Sequence, residues 1–538
     1  MKKLPLIDDR APPPDASPAK EARKNGSRGK MLVGNLGADE AGEARGPGRW
    51  KASGSRKIVL FQPAVGYMDR MRSKPALPLS LLHAATLIWE RYEVVLIDQR
   101  VQADWRARLV RELAQKPLLL GITCYTGPMI ARAIEAAQAA RGVDPDIPIL
   151  WGGVHVGLLP EQSLQHPLVD LVARGEGEET LLRLADTLAS GGSLYDVPGL
   201  SFMDGERYVA TPSAPFLDMS AAPEIPYHLV RVEDYMPLYE GRRSLYMESS
   251  RGCPFPCTYC YNVYFNDRKW RAQSPERVVE RVRYARDKFG VEDVYFTDDD
   301  FFINPKRSRA IVEGLLGIGV SWQVQGSDII CISKMDEDFL QLLKDSNFRR
   351  FTIGIESGSP RMRKMMQKAG DVELVVRTIE RLARFGFIIF GSFISNMPGE
   401  TREDVRQSVR LIERLHEVNP HFRNSPIYHY TPFPGTPMFD QAVTAGFRPP
   451  TSLGGWSHFS YEGGKESTFP IGSEKPEFYE RLYLATLFND RKVDEYTVPL
   501  LVRLLANAYR PVAQLRLKHL YFDFMPEIAV SRRVLHGG

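Results

Sequence analysis

Short apolar runs and amphipathic stretches alternate between residues 57 and 189. The apolar runs are typical of strands that are buried on both faces of a parallel sheet. Five strands are predicted on this basis, at Ile58–Phe61, Val94–Asp98, Leu118–Ile122, Ile147–Trp151 and Leu168–Val172. Helices are predicted between and after them, at Leu79–Tyr92, Trp105–Gln115, Met129–Arg141 and Glu178–Ala189. The alternation predicts a doubly wound parallel sheet, which binds ligands beyond the carboxyl ends of its strands.

The same alternation returns between residues 244 and 445. Six strands are predicted, at Leu245–Glu248, Asp293–Phe296, Ser321–Gln325, Arg350–Ser357, Ile388–Ile394 and Ser425–Tyr430. The helices among them are predicted at Pro275–Phe289, Lys306–Gly317, Asp336–Ser346, Val372–Phe385 and Glu403–Val418. These units predict a partial (β/α)6 barrel, whose chemistry belongs at the carboxyl ends of the strands. Two later stretches, Glu477–Asn489 and Val498–Leu517, predict a helical C-terminal region.

We therefore predict an α/β chain of five segments. They are a disordered tail at 1–55, a Rossmann-like domain at 56–190, a connector at 191–243, a partial barrel at 244–445 and a helical region at 446–538. The tail is rich in Pro, Gly, Ala, Lys and Arg, and it has too few large apolar side chains to offset the entropy of ordering. The connector contains Asp204-Gly205, a pair that suits a hairpin turn.

Composition and charge narrow the class of protein. The net charge of +4 over 538 residues gives no argument for nucleic acid as a partner. The chain has no apolar run of about 18 residues and no apolar signal core, so we expect no transmembrane span and a cytoplasmic location. Basic and aromatic residues mix near the C-terminus, for example at Arg516 and Tyr521. This mixture favours a helical cap with a solvated basic face and leaves peripheral contact with a membrane open.

Three of the five cysteines, Cys253, Cys257 and Cys260, lie within eight residues with the spacing C-x3-C-x2-C. A disulfide framework would favour an even number of cysteines in a small secreted chain. A zinc site would favour a fourth Cys or His close by, and none follows this segment. Thiolates also hold iron–sulfur clusters, and most [4Fe–4S] clusters use four of them. Three local thiolates would leave one iron open to an outside ligand.

The segment Arg251–Asn262 resembles the radical S-adenosylmethionine (radical SAM) family, whose pattern places an aromatic residue, here Tyr259, before the last cysteine. The resemblance implies that the three cysteines hold a [4Fe–4S] cluster and that its open iron binds S-adenosylmethionine. Several strand-end residues match positions that bind this molecule in the family. They are Tyr259 beside the adenine, Asp298, Asp299 and Asp300 near the amino group, Glu356 and Ser357 at the ribose, and Ser392 and Ile394 beside the adenine.

The loops of the upstream sheet resemble the cobalamin-binding domain that precedes the barrel in one large radical SAM subfamily. The residues expected at this cofactor are Thr123, Tyr125, Gly152, Gly153, His155, Gly175 and Glu176. Glycines would let the backbone approach a bulky planar corrin. The D-x-H-x-x-G motif that supplies a cobalt-ligating histidine is missing, so no histidine from the loop after the first strand should reach cobalt. We expect His155 to lie in a loop near the cofactor rather than to ligate cobalt, and we expect Cys124 to be a buried small residue rather than a cluster ligand.

The resemblance implies a cobalamin-dependent radical SAM enzyme that methylates a carbon atom. The alternatives are radical cyclisation, rearrangement or oxidation, as in the anaerobic magnesium-protoporphyrin ester cyclase group, with an active or degenerate cobalamin domain. A non-catalytic sensor is a third interpretation, which the acidic, ribose-like and Pro398-Gly399-Glu400 segments argue against. The expected partners are an electron donor such as flavodoxin or ferredoxin and a small-molecule, lipid, tetrapyrrole or peptide substrate.

Overall fold

The computed structural model describes residues 46, 50, 52–66, 69, 73–459, 471–490, 500–523 and 525, with the backbone alone at 500–503, 505 and 506. Most of the predicted tail at 1–55 therefore lies outside the described residues. Two residues that the sequence analysis placed in the tail contact the first sheet domain. The Trp50 indole donates a hydrogen bond to the Asp146 carbonyl, and the Ser53 amide donates one to the Leu188 carbonyl.

The first sheet has seven strands in the order β2-β1-β3-β4-β5-β6-β7. The strands are β1 (Lys57–Gln62), β2 (Glu93–Asp98), β3 (Leu119–Thr123), β4 (Ile149–Gly152), β5 (Leu171–Ala173), β6 (Leu200–Asp204) and β7 (Arg207–Ala210). The helices are α1 (Leu79–Ala85), α2 (Trp105–Leu113), α3 (Met129–Val143), α4 (Val154–Leu158), α5 (Pro160–Leu164) and α6 (Glu178–Ser190). The first five strands pair in parallel, which confirms the doubly wound sheet. The hairpin β6–β7, predicted as part of a connector, extends this sheet in antiparallel pairing.

The second large sheet has the strand order β16-β15-β14-β13-β12-β9-β8. Its strands, with the small pair β10–β11, are β8 (Leu238–Tyr239), β9 (Arg242–Met247), β10 (Ser250–Arg251), β11 (Arg271–Ala272), β12 (Asp293–Phe296), β13 (Ser321–Ser327), β14 (Phe348–Glu356), β15 (Ile388–Ser395) and β16 (Phe422–His429). Six strands of this sheet, β9 and β12 to β16, pair in parallel. They form the six-stranded partial barrel that the sequence predicted.

Helices lie between and after these strands. They are α7 (Asn262–Phe265), α8 (Pro275–Phe289), α9 (Pro305–Leu315), α10 (Ile329–Ser333), α11 (Glu337–Asp345), α12 (Pro360–Met365), α13 (Val372–Ala383), α14 (Arg402–Val418), α15 (Pro437–Thr444), α16 (Pro476–Asn489) and α17 (Leu500–His519). Side-chain caps fix where several of them begin. Ser274 caps α8, and Thr401 forms a capping box with Asp404 at the start of α14.

The helix predicted at Leu79–Tyr92 is shorter in the structure. It ends at Ala85, where the hydroxyl and the amide of Thr86 both donate to the His83 carbonyl and replace the helical pattern with turns. Such local bonds from Ser and Thr compete with the helical hydrogen bonds. No helix among the described residues is both long enough and apolar enough to cross a lipid bilayer.

Candidate functional site

A cavity of about 600 Å³, here called the central cavity, lies between the carboxyl ends of the two parallel sheets. The residues at strand ends that line it are Gln62, Thr123, Gly152 and Ala173 from the first sheet and Tyr246, Glu248, Thr297 and Gln325 from the second. Because both sheets place their strand ends here, a ligand in the cavity would contact both.

The central cavity combines an apolar slot with a polar mouth. Leu60 and Leu150 from the sheet line the slot together with Leu81 of α1 and Leu181 of α6, and all four are buried. Arg100, Glu176, Glu248 and Asp299 stand among the residues of the polar mouth. This mixture suits a large ligand that has an apolar part and a polar part.

Glycines form part of the wall between the two regions. Gly153 has a φ of +97°, and a Cβ on it would lie 2.6 Å from the Cys124 carbonyl oxygen. A Cβ on Gly175 would meet no atom within 4 Å, although its φ is +72°. Gly153 is therefore needed for the close approach of the Cys124 backbone, whereas Gly175 leaves bare backbone in the wall that a planar group can approach closely. The cavity thus fits the bulky corrin that the sequence analysis expected.

The structure brings most of the upstream residues predicted from sequence to the central cavity. Those that line it are Thr123, Tyr125, Gly152, Gly153, Gly175 and Glu176. His155 is not among them. It is buried in α4, its Nδ1 lies 2.9 Å from the Thr126 hydroxyl, and its ring meets the edge of Trp456. Cys124 is fully buried as well.

His83, which the sequence analysis did not single out, lines the central cavity from α1. Its Nε2 lies 3.1 Å from a carboxylate oxygen of Glu248. Burial, helped by the nearby Arg251 charge, lowers the pKa of His83 well below its ordinary value, so the ring is neutral at pH 7. A helix position with apolar neighbours gave no signal in the sequence that this histidine faces a cavity.

The cysteine loop, residues 252–261, is anchored from several sides. The Gly252 amide donates a hydrogen bond of 2.8 Å to Asp299, and the Arg268 guanidinium donates two to the Pro254 carbonyl. The Thr258 amide donates to the Met366 carbonyl over 3.0 Å. These bonds come from three different segments of the chain, so the loop has a defined path.

The three thiols of this loop lie close enough together to influence each other's ionisation. Burial raises the pKa of Cys253 and of Cys257, and it raises the pKa of Cys260 to about 12. Thiolate ligands would therefore release protons when metal binds. Among the described side chains of His, Cys, Asp and Glu, no three lie close enough together to hold a single metal ion. A [4Fe–4S] cluster places its thiolates on different irons, and this donor set fits such a group.

Tyr259 reaches from the cysteine loop to the end of β14. Its hydroxyl donates a hydrogen bond of 3.1 Å to Oε1 of Glu356, while the buried Oε2 of Glu356 has no hydrogen-bond partner among the residues that the structure describes. Burial raises the pKa of Glu356, against the opposing influence of Lys368. Glu356 also has a φ of +69°, a strained backbone for a non-glycine residue. A strained residue with an unpaired buried oxygen is a candidate contact for a ligand.

Lys368 and Asp328 form a buried ion pair beside the same carboxyl group, with Nζ 2.8 Å from Oδ2. Burial opposes the charge on Lys368, but the nearby Asp328 carboxylate outweighs it and raises the pKa of the amine. Neither residue is predicted from the sequence. Lys368 follows the short helix α12 and does not lie at the end of a strand, where site residues were expected.

The three consecutive aspartates after β12 face different surroundings. Asp298 is buried and accepts hydrogen bonds from the amide and hydroxyl of Ser249, and burial raises its pKa to about 6. Asp299 faces the central cavity and the cysteine loop. Asp300 accepts from the Phe302 and Asp328 amides, and burial raises its pKa to about 7. Asp299 and Asp300 therefore lie at the border of the site, whereas Asp298 fixes Ser249 in the segment that precedes the cysteines.

The remaining predicted residues lie on β14 and β15. Ser357 is fully buried and its hydroxyl accepts a hydrogen bond from the Ser359 amide, so its side chain belongs to the turn after β14. Ser392 and Ile394 are half-buried, whereas their neighbours Phe393 and Ser395 are buried. The alternation of side chains along a strand therefore places Ser392 and Ile394 together on one face of β15.

Two family models match the chain over these elements. The radical SAM superfamily model matches residues 247–412, and the B12 binding domain model matches residues 75–185. The first match contains the cysteine loop, Asp328, Glu356 and Lys368. The second contains the cavity-lining loops of β3 and β4 and the start of α6.

The chain is similar to curated proteins and to solved structures. It is 28% identical over 392 residues to an uncharacterized methyltransferase of Pyrococcus horikoshii, covering 72% of this chain and 83% of that protein. It is 27% identical to the anaerobic magnesium-protoporphyrin IX monomethyl ester cyclase of Rubrivivax gelatinosus, covering 65% of this chain and 63% of the cyclase. The chain shares the fold of the radical S-adenosylmethionine methyltransferase TsrM of Kitasatospora setae, whose structure was solved with cobalamin and a [4Fe–4S] cluster. The TM-score is 0.61 and the identity is 21%, over 74% of this chain and 76% of TsrM.

Proposed function

Because the chain belongs to the radical SAM enzymes that carry a B12-binding domain, we propose that it methylates a carbon atom of a small-molecule substrate. The observation that carries this proposal is the position of Tyr261. This residue directly follows Cys260 and lines the same central cavity as Thr123 and Gly152 of the upstream sheet. A substrate held there would lie beside the cysteine loop and beside the wall offered to the corrin.

The cofactors of such an enzyme are a [4Fe–4S] cluster, S-adenosylmethionine and cobalamin. When bound, the cluster supplies the electron that cleaves S-adenosylmethionine to methionine and a 5′-deoxyadenosyl radical, and methylcobalamin supplies the methyl group. We propose that Cys253, Cys257 and Cys260 hold the cluster. The apolar slot and the glycine wall of the central cavity would hold cobalamin. His83 stays neutral beside Glu248 and would add no further positive charge to the cavity.

The polar group beside the cysteine loop suits the zwitterion of S-adenosylmethionine. The Lys368 amine would bind its carboxylate, because a buried ammonium and a carboxylate form a strong charge-assisted hydrogen bond. Asp300 would accept from its amino group. The unpaired oxygen of Glu356 would accept a hydrogen bond from the ribose, while the Tyr259 ring would pack near the adenine. Together these residues would orient the molecule and exclude water from it.

A second candidate function is radical cyclisation or oxidation of a tetrapyrrole. The similarity to the cyclase of Rubrivivax gelatinosus favours it, and the same residues would bind the cluster and S-adenosylmethionine. We also propose a cytoplasmic location and a flavodoxin or ferredoxin as the electron donor, because the reaction needs one electron at low potential and a reducing compartment.

One anaerobic experiment tests the proposal. The purified protein is reconstituted with iron, sulfide and cobalamin and is given S-adenosylmethionine and a reductant, and two products are measured. Methyl transfer produces 5′-deoxyadenosine from one S-adenosylmethionine and S-adenosylhomocysteine from a second one, which would return the methyl group to cobalamin. 5′-Deoxyadenosine alone favours the second candidate, and neither product from fully loaded protein contradicts both.

Two cysteine variants, one inside the cysteine loop and one outside it, test where the cluster is held. We expect Cys257→Ala to lose most of the bound iron and both products. Cys331→Ser removes a cysteine outside the loop and should keep the iron content of the wild type. Equal iron content in the two variants would contradict the assignment of the cysteine loop.

A further inference from the structure

Arg251 lies two residues before Cys253 and contacts three carboxylates. Its Nη1 lies 2.9 Å from Glu176 and 2.8 Å from Glu178, and its Nε lies 2.7 Å from Glu248. The Arg251 side chain is 12% exposed, and those of Glu176 and Glu178 are 8% and 4% exposed. This is a buried ion-pair network, and Arg251 is its centre.

The carboxylates come from both halves of the site. Glu176 and Glu178 belong to the acidic loop, residues 174–178, which follows β5 of the first sheet. Glu248 follows β9 of the second sheet. Arg271 of β11 adds a second cation, with its Nη1 2.6 Å from Glu176. One side chain thus connects the acidic loop to the strand that leads into the cysteine loop.

The backbone beside Arg251 has little freedom to absorb a movement. Gly252 has a φ of +82°, and a Cβ on it would lie 2.0 Å from the Lys269 carbonyl oxygen. The Gly252 amide is held by Asp299 over 2.8 Å. Arg251 is therefore joined to Cys253 through a residue of fixed geometry.

The acidic loop also touches the space where a ligand would bind. Gly175, Glu176, Gly177 and Glu178 all line the central cavity, and so does Arg251. A ligand in the cavity would therefore contact the same loop that holds the guanidinium. The ion pairs give a direct physical connection from the cavity to the cysteines.

A buried network of this kind contributes little net stability, because desolvation of the ions offsets most of their attraction. Its main physical effect is to fix the geometry of the groups it joins. We propose that Arg251 is a positioning residue that ties the cysteine loop to the acidic loop, so that an occupied central cavity sets the position of the cysteines. This inference rests on the proposed function, in which cobalamin occupies the cavity.

Hydrogen–deuterium exchange on cluster-loaded protein, with and without aquacobalamin, tests the connection without an activity assay. In the wild type we expect cobalamin to slow exchange in peptides that cover residues 170–180 and residues 250–262. In Arg251→Gln we expect the first peptide to keep its protection, while the protection gained by the second falls at least fivefold. Arg251→Lys, which keeps the charge but has one nitrogen in place of the fork, should give an intermediate result and serves if the Gln variant does not fold.

Arg141→Lys is the matched control. Arg141 is a similarly buried arginine that pairs with Asp170 inside the first sheet domain and does not contact the network. In Arg141→Lys we expect cobalamin to slow exchange at residues 250–262 as much as it does in the wild type. In the double variant Glu176→Gln/Arg251→Gln, the protection that cobalamin gives to residues 250–262 should be no smaller than in Arg251→Gln alone, because both residues belong to one network.

The outcomes separate this proposal from the proposed function. Protection of residues 250–262 that survives in Arg251→Gln overturns the positioning role, and so does an equal loss in Arg141→Lys. A wild type that binds no cobalamin contradicts the proposed function instead. The positioning role is then decided by exchange without cobalamin, which should be at least fivefold faster at residues 250–262 in Arg251→Gln than in Arg141→Lys.

Discussion

The amine of Lys368 lies 2.8 Å from a carboxylate oxygen of Asp328, and both side chains are buried next to the cysteine loop. A lone buried ammonium would be very unfavourable, so Asp328 keeps Lys368 charged in this place. The amine can still make other hydrogen bonds, because an ammonium has three donors. The amine can therefore donate hydrogen bonds to a ligand while Asp328 keeps it charged.

Replacing Lys368 with Met should weaken the binding of S-adenosylmethionine. We expect the KM for S-adenosylmethionine to rise at least tenfold, which corresponds to about 1.4 kcal/mol, because its carboxylate loses a charged partner. The iron content should stay at the wild-type value. Lys364→Met, at an exposed position of α12, is the control and should leave the KM unchanged. A KM that rises equally in both variants would refute the role of Lys368.

Gly354→Ala should disturb Glu356 without touching the cysteines. A Cβ on Gly354 would lie 2.3 Å from Oε1 of Glu356, the oxygen that accepts from Tyr259. We expect the dissociation constant for S-adenosylmethionine, measured by calorimetry, to rise at least fivefold. Gly142→Ala in α3, where a Cβ meets nothing within 4 Å, is the matched glycine control. Unchanged affinity in Gly354→Ala would show that Glu356 does not contact the ligand.

Glu400 should make the stability of the protein depend on pH. It is buried and accepts hydrogen bonds from the Ser395 hydroxyl and the Asn396 amide. Burial outweighs these bonds and raises the pKa of Glu400 from 4.5 to about 7. The folded protein therefore binds the proton more tightly than the unfolded chain. The resulting stability is fully present below about pH 4.5 and is lost as the pH rises through about 7.

Glu400→Gln imitates the protonated carboxyl and should remove this dependence. We expect the free energy of unfolding of the wild type, relative to the variant, to fall between pH 5 and pH 7 by up to about 1.4 kcal/mol per pH unit. Denaturant titrations at several pH values measure it. Glu403→Gln at an exposed position of α14 is the control, and its free energy of unfolding should depend on pH as that of the wild type does. A flat difference between the wild type and Glu400→Gln would mean that Glu400 is ionised in the folded state throughout.

The sequence predicted the parallel strands well because strands buried on both faces are short apolar runs. The predicted strand Asp293–Phe296 and the predicted helix Pro275–Phe289 have the same bounds in the structure. The cysteine motif is local in sequence, so its spacing was visible without a fold. The hairpin β6–β7 was recognised by its turn, but its pairing with β5 depends on the tertiary structure.

The site was predicted less completely because several of its contacts join distant parts of the chain. Lys368 and Asp328 are 40 residues apart and come together only when the chain folds. Arg251 and Glu176 are 75 residues apart, and each alone is an ordinary surface residue type. His155 followed two glycines and suggested a cofactor contact, but the short helix α4 turns it away from the cavity toward Trp456. Such contacts follow from tertiary packing rather than from local pattern.

We propose that the cluster held by the cysteine loop and the cobalamin held by the glycine wall lie side by side at one central cavity. Electron paramagnetic resonance of the frozen holoenzyme tests it most directly, with the cobalt as cob(II)alamin and the cluster either oxidised or reduced. We expect the cob(II)alamin signal to broaden and to relax faster when the cluster is reduced, and we expect no such change in Cys257→Ala, which lacks the cluster. A cob(II)alamin signal that does not respond to cluster reduction in fully loaded wild-type protein would contradict the claim.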